Sequence, residues 1–580
     1  MFECRSLALR FFPSIAPYSF GCRRLVAAIV VALVLCILCG PQSYAEPQSS
    51  EDQTTNTISG TVINGVTDEP IARALVYTAD ERAATFSDDQ GNFELTVSAV
   101  TQPPAGGVPV KTSAGLLARK PGFLAEYGIQ GSVVIGGSGK DVTLTLAPEA
   151  LIVGQVKFPS ADADYVEVQL YRREVREGFA HWQPLTQVRT RADGEFRFAE
   201  LRAGEYKVFT HEVMERDPLA AVPNGPAYGF PPRFFAAARD FATADMIQLK
   251  AGETVTANIT PERQRYFDVR VPVIKPDPGP PGQLSVLVHA AGRRGPGFEL
   301  GYDPEQNAVR GSLPNGSYTI EAWTVESSEW VGATTITVAN GPVNGPPLSL
   351  SPRAIIDYNV HQDFSGAENS RTGAPNVYVN LQPADEFSEE RGGYGYNTRG
   401  NPPSLTGVQP GRYWVQVNPS SSGTYVASVT SGGKDLFREP LVVPFGASVP
   451  PIDITVGNDP GEIEVTLEAK NNGPAAGASG SVIRSGGVEG SSLPDEPSSV
   501  YCIPLSGEGG MARKFSNQFN GKYVLPQVPP GDYRILALDT PQPLEYRNPV
   551  VLRTYESQGQ RVHVAAGQRV QVTLQPIKGD

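Results

Sequence analysis

The chain has 580 residues, with 48 Lys and Arg against 61 Asp and Glu, a net charge of −13, and 40% hydrophobic residues. That length exceeds a single core, the apolar content excludes disorder throughout, and the acidic balance argues against nucleic acid and anionic lipid faces as partners. Gly (60) and Pro (52) make about a fifth of the chain, above the roughly 12% of ordinary usage. With many Val, Tyr and Phe, this is the composition of short strands joined by tight turns: an all-β chain.

At the N-terminus, residues 25–38 are an unbroken apolar run, preceded by Arg23-Arg24 and followed by Gly40-Pro41 and Ser43-Tyr44-Ala45. A basic flank, a short apolar stretch and a small-x-small site read as a secretory signal peptide over residues 1–45. The run is shorter than the ~20 residues a spanning helix needs, but the long basic region before it leaves an uncleaved membrane anchor open. In either case the positive-inside rule places the rest of the chain in the periplasm, at the cell surface or outside the cell, with membrane contact through this segment alone. The leader carries four Arg and one Glu, so its removal leaves a net charge of −16, and it holds Cys4, Cys22, Cys36 and Cys39. Cys502 then stands alone and reads as a half-buried small hydrophobe rather than a catalytic thiol.

Residues 46–56 are a polar linker. Beyond it the pattern predicts a tandem array of about five β-sandwiches, transthyretin-like or Ig-like, over 57–148, 149–262, 263–352, 353–457 and 458–580. One short helix is expected near 235–241, a joint at Ser351-Pro352 and a turn-rich hinge at 457–461. The dividing signal is a repeated phrase: a turn, Gly, any residue, then Phe or Tyr inside an apolar alternation. It occurs twice, ten residues apart, at Gly194 and Gly204 and again at Gly521 and Gly531, with single copies in QGNFELTV (90–97), LPNGSYTIEAW (313–323) and VQPGRYWVQV (408–417). Gly supplies the turn and the aromatic opens a strand facing a core, so the phrase is expected to mark hairpins.

The first domain carries Gly60-Thr61-Val62, Glu69-Pro70-Ile71, Ala74-Leu75-Val76, then Thr85 to Asp88, Gly91-Asn92-Phe93-Glu94-Leu95 and Lys120-Pro121-Gly122-Phe123. In that order and spacing it resembles the carboxypeptidase regulatory-like family, small transthyretin-like sandwiches classed as carbohydrate-binding-like, with an insertion at about 98–114. The later repeats look like degenerate copies. The resemblance implies a sandwich fold and no peptidase activity, because the regulatory domain is separate from the catalytic one.

The residues agree that the chain is not an enzyme. None of His181, His211, His289, His361 and His563 is followed by Glu three residues on, so the His-x-x-Glu pair of a zinc carboxypeptidase is missing. Gly136-Gly137-Ser138-Gly139-Lys140 lacks the first Gly of a phosphate loop and its Ser or Thr, and Asp88-Asp89-Gln90-Gly91 fails the EF-hand order and reads as a turn. No metal or cofactor is called for. Sugars bind on aromatic faces with polar groups beside them, and the loop-like aromatics are Trp182, Tyr228, Phe230, Trp330, Tyr394 and Tyr396. The expectation is an exported non-catalytic modular protein with a binding or spacer role, glycans being the ligand in view. The alternative is an accessory subunit that binds an envelope protein, serving a separate exported peptidase or outer-membrane transport system.

Overall fold

The computed structural model describes residues 55–580 except 99–113, 126–132, 136–141, 159–164, 216–225, 277–281, 326–328, 365–375, 388–395, 399–401, 422, 469–498, 506–509, 516, 520–521, 539–543 and 578–580. The leader, most of the linker, most of the 98–114 insertion and the 136–140 turn lie outside the described residues. Among those described, no helix is long and apolar enough to cross a membrane.

The fold is all-β, a tandem array of sandwiches, and each repeats one device. The strand that opens a span pairs in parallel with the strand that closes it. Thus Thr55–Asn64 lies beside Val142–Pro148, Ala150–Gln155 beside Thr254–Thr256 and Gln264–Ile274 beside Val343–Asn344 and Leu348–Ser349. Likewise Ala354–Asp363 lies beside Ile452–Asn458 and Gly461–Leu467 beside Arg569–Leu574. Alternate residues of these strands fill separate cores, such as Ile58, Val62 and Leu144 in the first and Ile463, Val465 and Val572 in the fifth. Period-two alternation thus becomes one buried face per strand, worth roughly 25 cal/mol for each Å² of apolar surface removed from water.

At Gly204, Gly316, Gly411 and Gly531 the Gly-x-aromatic phrase does not mark a hairpin, because the strands it joins belong to opposite sheets. The strands flanking residues 520–521, Asn517–Phe519 and Lys522–Val528, do pair antiparallel as the expected hairpin. Glu195–Leu201 pairs with Ala150–Gln155, whereas the next strand, Gly204–Thr210, pairs with Glu167–Arg176. In the fifth sandwich Lys522–Val528 pairs with Gly461–Leu467, and Gly531–Leu538 with Ser499–Pro504. The third and fourth sandwiches cross in the same way. What holds each crossing is the tyrosine. Tyr206, Tyr318, Tyr413 and Tyr533 are buried, and each hydroxyl donates to the carbonyl four residues back: Arg202, Pro314, Gln409 and Pro529, at 2.8, 2.9, 2.9 and 2.6 Å. A buried phenol must be paired, and this tyrosine corner pairs it while pinning the crossing. Burial raises the pKa of all four hydroxyls, so they stay protonated and donate.

Glycine is required where the phrase begins. Gly91 (φ +75°) and Gly194 (φ +82°) occupy equivalent turns, and a Cβ there would lie 2.7 Å from the Val62 carbonyl oxygen and 2.3 Å from that of Val156.

No helix forms at 235–241. Arg233–Phe234 pairs with Gly204–Thr210 instead, and Ala237 takes φ +71°, a left-handed conformation that interrupts helical hydrogen bonding. The helix among the described residues is Pro549–Arg553, capped by the Asn548 side chain. Ser351–Pro352 is a short strand against Trp330–Val338 rather than a bare joint. Strand Ala227–Phe230, although it lies in sequence between residues of the second core, adds to the sheet of the third through Gln264–Ile274.

Candidate functional site

The long hairpin Glu167–Arg176 and Phe179–Arg189 reaches beyond its own sandwich. Midway along it, Arg173 pairs with Glu205 of the second sandwich, Glu386 of the fourth and Glu545 of the fifth, at 3.1, 2.8 and 2.7 Å. Burial by itself would pull its pKa down, but the hydrogen bonds to Glu386 and Glu545 raise it, so the cation is held. At the tip, the Phe179 ring stacks on Trp414 at 5.1 Å, and the Arg547 guanidinium lies over Phe179 at 5.2 Å. Second, fourth and fifth sandwiches are thereby fastened at one place.

Beside this fastening the second, third and fourth sandwiches border an open cleft of about 590 Å³, lined among others by Trp182, Lys207, Phe241, His289, Arg294 and Glu386. Its apolar wall is Trp182, Phe241 and Phe387, backed by Phe209 and Phe234 of the same buried cluster. Lys207 is set into that wall. Its ammonium lies 5.0 Å from the Trp182 ring and 4.7 Å from that of Phe241, and donates to the Phe241 carbonyl at 2.7 Å. Desolvation lowers its pKa, with Glu386 and Asp240 opposing.

The polar wall comes from turns. Arg293 and Arg294 follow strand Leu284–Ala290, and Asp385 and Glu386 follow Val377–Pro383. Arg293 pairs with Asp240, and Arg294 with Glu321 at 3.3 Å and Asp385 at 3.9 Å. His289 Nε2 meets Glu321 at 3.3 Å. Burial pushes the Glu321 carboxyl up, but the hydrogen bond with His289 and the Arg294 charge outweigh it and hold the pKa below the usual value. A smaller cavity of about 80 Å³ adjoins, sharing Arg294, Asp385 and Phe387 and adding Trp323, Arg412 and Tyr413. Among the described residues no group of three or more His, Cys, Asp or Glu is placed to hold a metal ion.

The aromatics singled out from sequence do not converge. Trp182 reaches the cleft, but from within a strand and only 5% exposed; its Nε1 donates to Glu386 at 3.1 Å. Tyr228 and Phe230 sit in strand Ala227–Phe230, the first under the Arg263 guanidinium at 3.9 Å, the second edge-on to Phe158 at 4.7 Å. Trp330 opens strand Trp330–Val338, packs on the third core and carries Lys275 over its ring at 4.9 Å. Tyr396 begins the short strand Tyr396–Thr398; its side chain and the whole of Tyr394 lie outside the described residues. Five of the six therefore lie in strands, not loops. Sequence reading missed Lys207, Arg293, Arg294 and Trp323. The Gly-flanked Arg pair in AAGRRGPG was a visible signal, whereas Lys207 and Trp323 look like ordinary strand residues.

No known family profile matches the chain, and no curated protein matches it. Similar solved structures include the Bacillus anthracis TIE protein (13% identity, 51% of this chain and 49% of that one, TM-score 0.14). Others are the minor pilin GBS52 of Streptococcus agalactiae (15%, 35% and 96%, 0.16) and a streptococcal ancillary pilin (11%, 52% and 100%, 0.17). The chain thus spans about half the length of the first of these. At such TM-scores they carry no argument about what this protein does.

Proposed function

We propose that this is an exported, non-catalytic protein of the cell envelope or extracellular space, whose sandwiches form a fixed framework presenting one binding cleft, and that the cleft takes a glycan. The observation that carries this reading is the open cleft of about 590 Å³ bordered by three sandwiches. It has the size of a ligand site and mixes apolar walls with a few polar groups, and the Arg173 ion pairs keep its walls in register. The five domains are taken at the boundaries expected from sequence, with the first as the carboxypeptidase regulatory-like member; Gly91, Phe93 and Leu95 of its motif supply a turn and core residues.

Affinity electrophoresis of the full chain through gels containing neutral and acidic polysaccharides tests the reading. Retardation by at least one of them, relieved by Trp182→Ala, is the expected result; mobility unchanged in every gel sinks it. The rival reading, an accessory protein-binding subunit, is favoured by one feature: Phe86 is exposed on the edge strand Ala84–Phe86 of the first sandwich, a place for strand addition. Reproducible co-purification of one envelope protein, lost in Phe86→Asp, would select it.

A further inference from the structure

We propose that the cleft is specific for an anionic, uronate-containing glycan, recognised through its carboxylates by Arg293, Arg294 and Arg412. The inference rests on the glycan reading above and adds the ligand class.

Its ground is which hydrogen-bonding groups are spent and which are left. The acidic residues around the cleft are each held by hydrogen bonds or ion pairs. Glu386 gives Oε1 to Arg173 and Oε2 to Trp182 Nε1, and Asp385 gives Oδ1 to Arg412 at 3.1 Å, with Oδ2 3.9 Å from Arg294 in an ion pair. Behind the lining, Asp240 accepts the Thr243 N–H on Oδ1 and Arg293 on Oδ2. Glu321, in the lining of the adjoining cavity, takes both His289 and Arg294 on Oε1. A guanidinium has five N–H donors, and one or two contacts leave several unspent.

Exposure gives the same direction. The Arg293, Arg294 and Arg412 side chains are 53%, 36% and 55% exposed, against 13%, 18% and 29% for Asp240, Glu321 and Asp385. Asp240, Glu321 and Asp385 lie beneath their arginine partners, while Glu386, half exposed, is held by Arg173 and Trp182. In a chain of net charge −13, three half-exposed arginines meet around one cleft, each paired with a less exposed carboxylate. Planar forks of this kind match carboxylates in a bidentate way that a lysine cannot. Trp323, half-buried in the adjoining cavity beside Arg412 and Tyr413, offers a ring against which sugar C–H surface desolvates.

The test uses the full chain in gels containing polygalacturonate, dextran or polyglutamate. We expect retardation by polygalacturonate and not by dextran or polyglutamate, weakening as salt is raised. Arg294→Gln with Arg412→Gln should weaken binding about tenfold or more, and Arg412→Lys alone by less, since it keeps the charge and loses the fork. Arg191→Gln, outside the lining of both cavities, should change nothing. If the double variant does not fold, as judged by its circular dichroism, Arg293→Gln alone decides the matter, because its side chain is half exposed. Equal retardation by dextran, unaffected by the arginine variants, overturns this inference while leaving the glycan reading intact. Retention by polyglutamate as strong as by polygalacturonate overturns it in favour of an acidic peptide. Polygalacturonate binding that survives every arginine variant also overturns it. No retention by any glycan removes both readings.

Discussion

The second and fifth sandwiches are built on one plan and finished in two ways. Both carry the twin phrase, both pin the crossing with a tyrosine (Tyr206 to Arg202, Tyr533 to Pro529), and both place a residue at positive φ four positions before the second Gly, Glu200 and Gln527. In both, the strand after the corner departs from alternation and is buried on its two faces. In the fifth, the outer face, Leu536 and Leu538, is covered by its own C-terminal segment through Leu544, Tyr546 and Tyr555. In the second, the outer face, Lys207 and Phe209, is covered in part by the fourth sandwich through Phe387. A chain that covers its own sheet makes a dry second core. A sheet covered by a neighbour leaves room for a cavity and for charge, and the cleft follows from that difference.

The strongest way to break the comparison is to hollow out each outer face. Phe209→Ala and Leu536→Ala should each cost about 2–5 kcal/mol, read as a lowered unfolding midpoint. Only Phe209→Ala should also abolish glycan retardation; equal loss in both would mean that the fifth sandwich supports the cleft too.

Protonation separates the two regions next. At the junction of second and third sandwiches, desolvation pushes the Glu212 carboxyl up to about 7 from its ordinary 4.5. Its Oε1 is buried without a hydrogen-bond partner, the Glu299 N–H donates to Oε2, and Tyr266 and the Glu299 carboxylate face it. The folded state therefore holds a proton that the unfolded chain releases. Stability from this group is complete below pH 4.5 and is lost as pH rises through 7, by at most about 3 kcal/mol. Glu212→Gln should flatten that slope and raise the unfolding midpoint above pH 7. An unchanged profile would remove Glu212 as its source.

In the fifth sandwich the buried group is inert. Desolvation pushes the Cys502 thiol up to about 12, so iodoacetamide at pH 8 should label it only after unfolding. The smallest effect tests what the two share. Tyr206→Phe and Tyr533→Phe each leave one carbonyl without its donor and should cost about 1 kcal/mol, equally, by urea titration. Unequal values would mean that the corners are not equivalent.

The sandwiches themselves were legible in the chain. Alternation in EIEVTLEA and RVQVTLQP points to one buried face, and Gly before an aromatic points to a turn followed by a core strand. The pairing was not. Nothing in ADGEFRFAELRAGEYKVFT says whether its two strands hydrogen-bond to each other or part into opposite sheets, because both arrangements present the same alternate residues to the core. Trp182 was legible as an unusual residue, but its burial depends on Phe241 and Phe387, distant in sequence. The Arg293-Arg294 pair was visible as a charged turn, without any sign of the carboxylates that would lie beneath it.

By itself the sequence determined the local chemistry: where the chain turns, which face of each strand is apolar, and where a buried hydroxyl must find a carbonyl four residues back. These are short-range consequences of φ preference, pleat and hydrogen-bond satisfaction. The tertiary structure alone decided which sheet each strand joins, whether a sheet's second face is covered by its own chain or by a neighbour, and therefore where the cleft lies. Those outcomes depend on contacts between residues hundreds of positions apart, such as Arg173 with Glu545, whose energies no local pattern encodes.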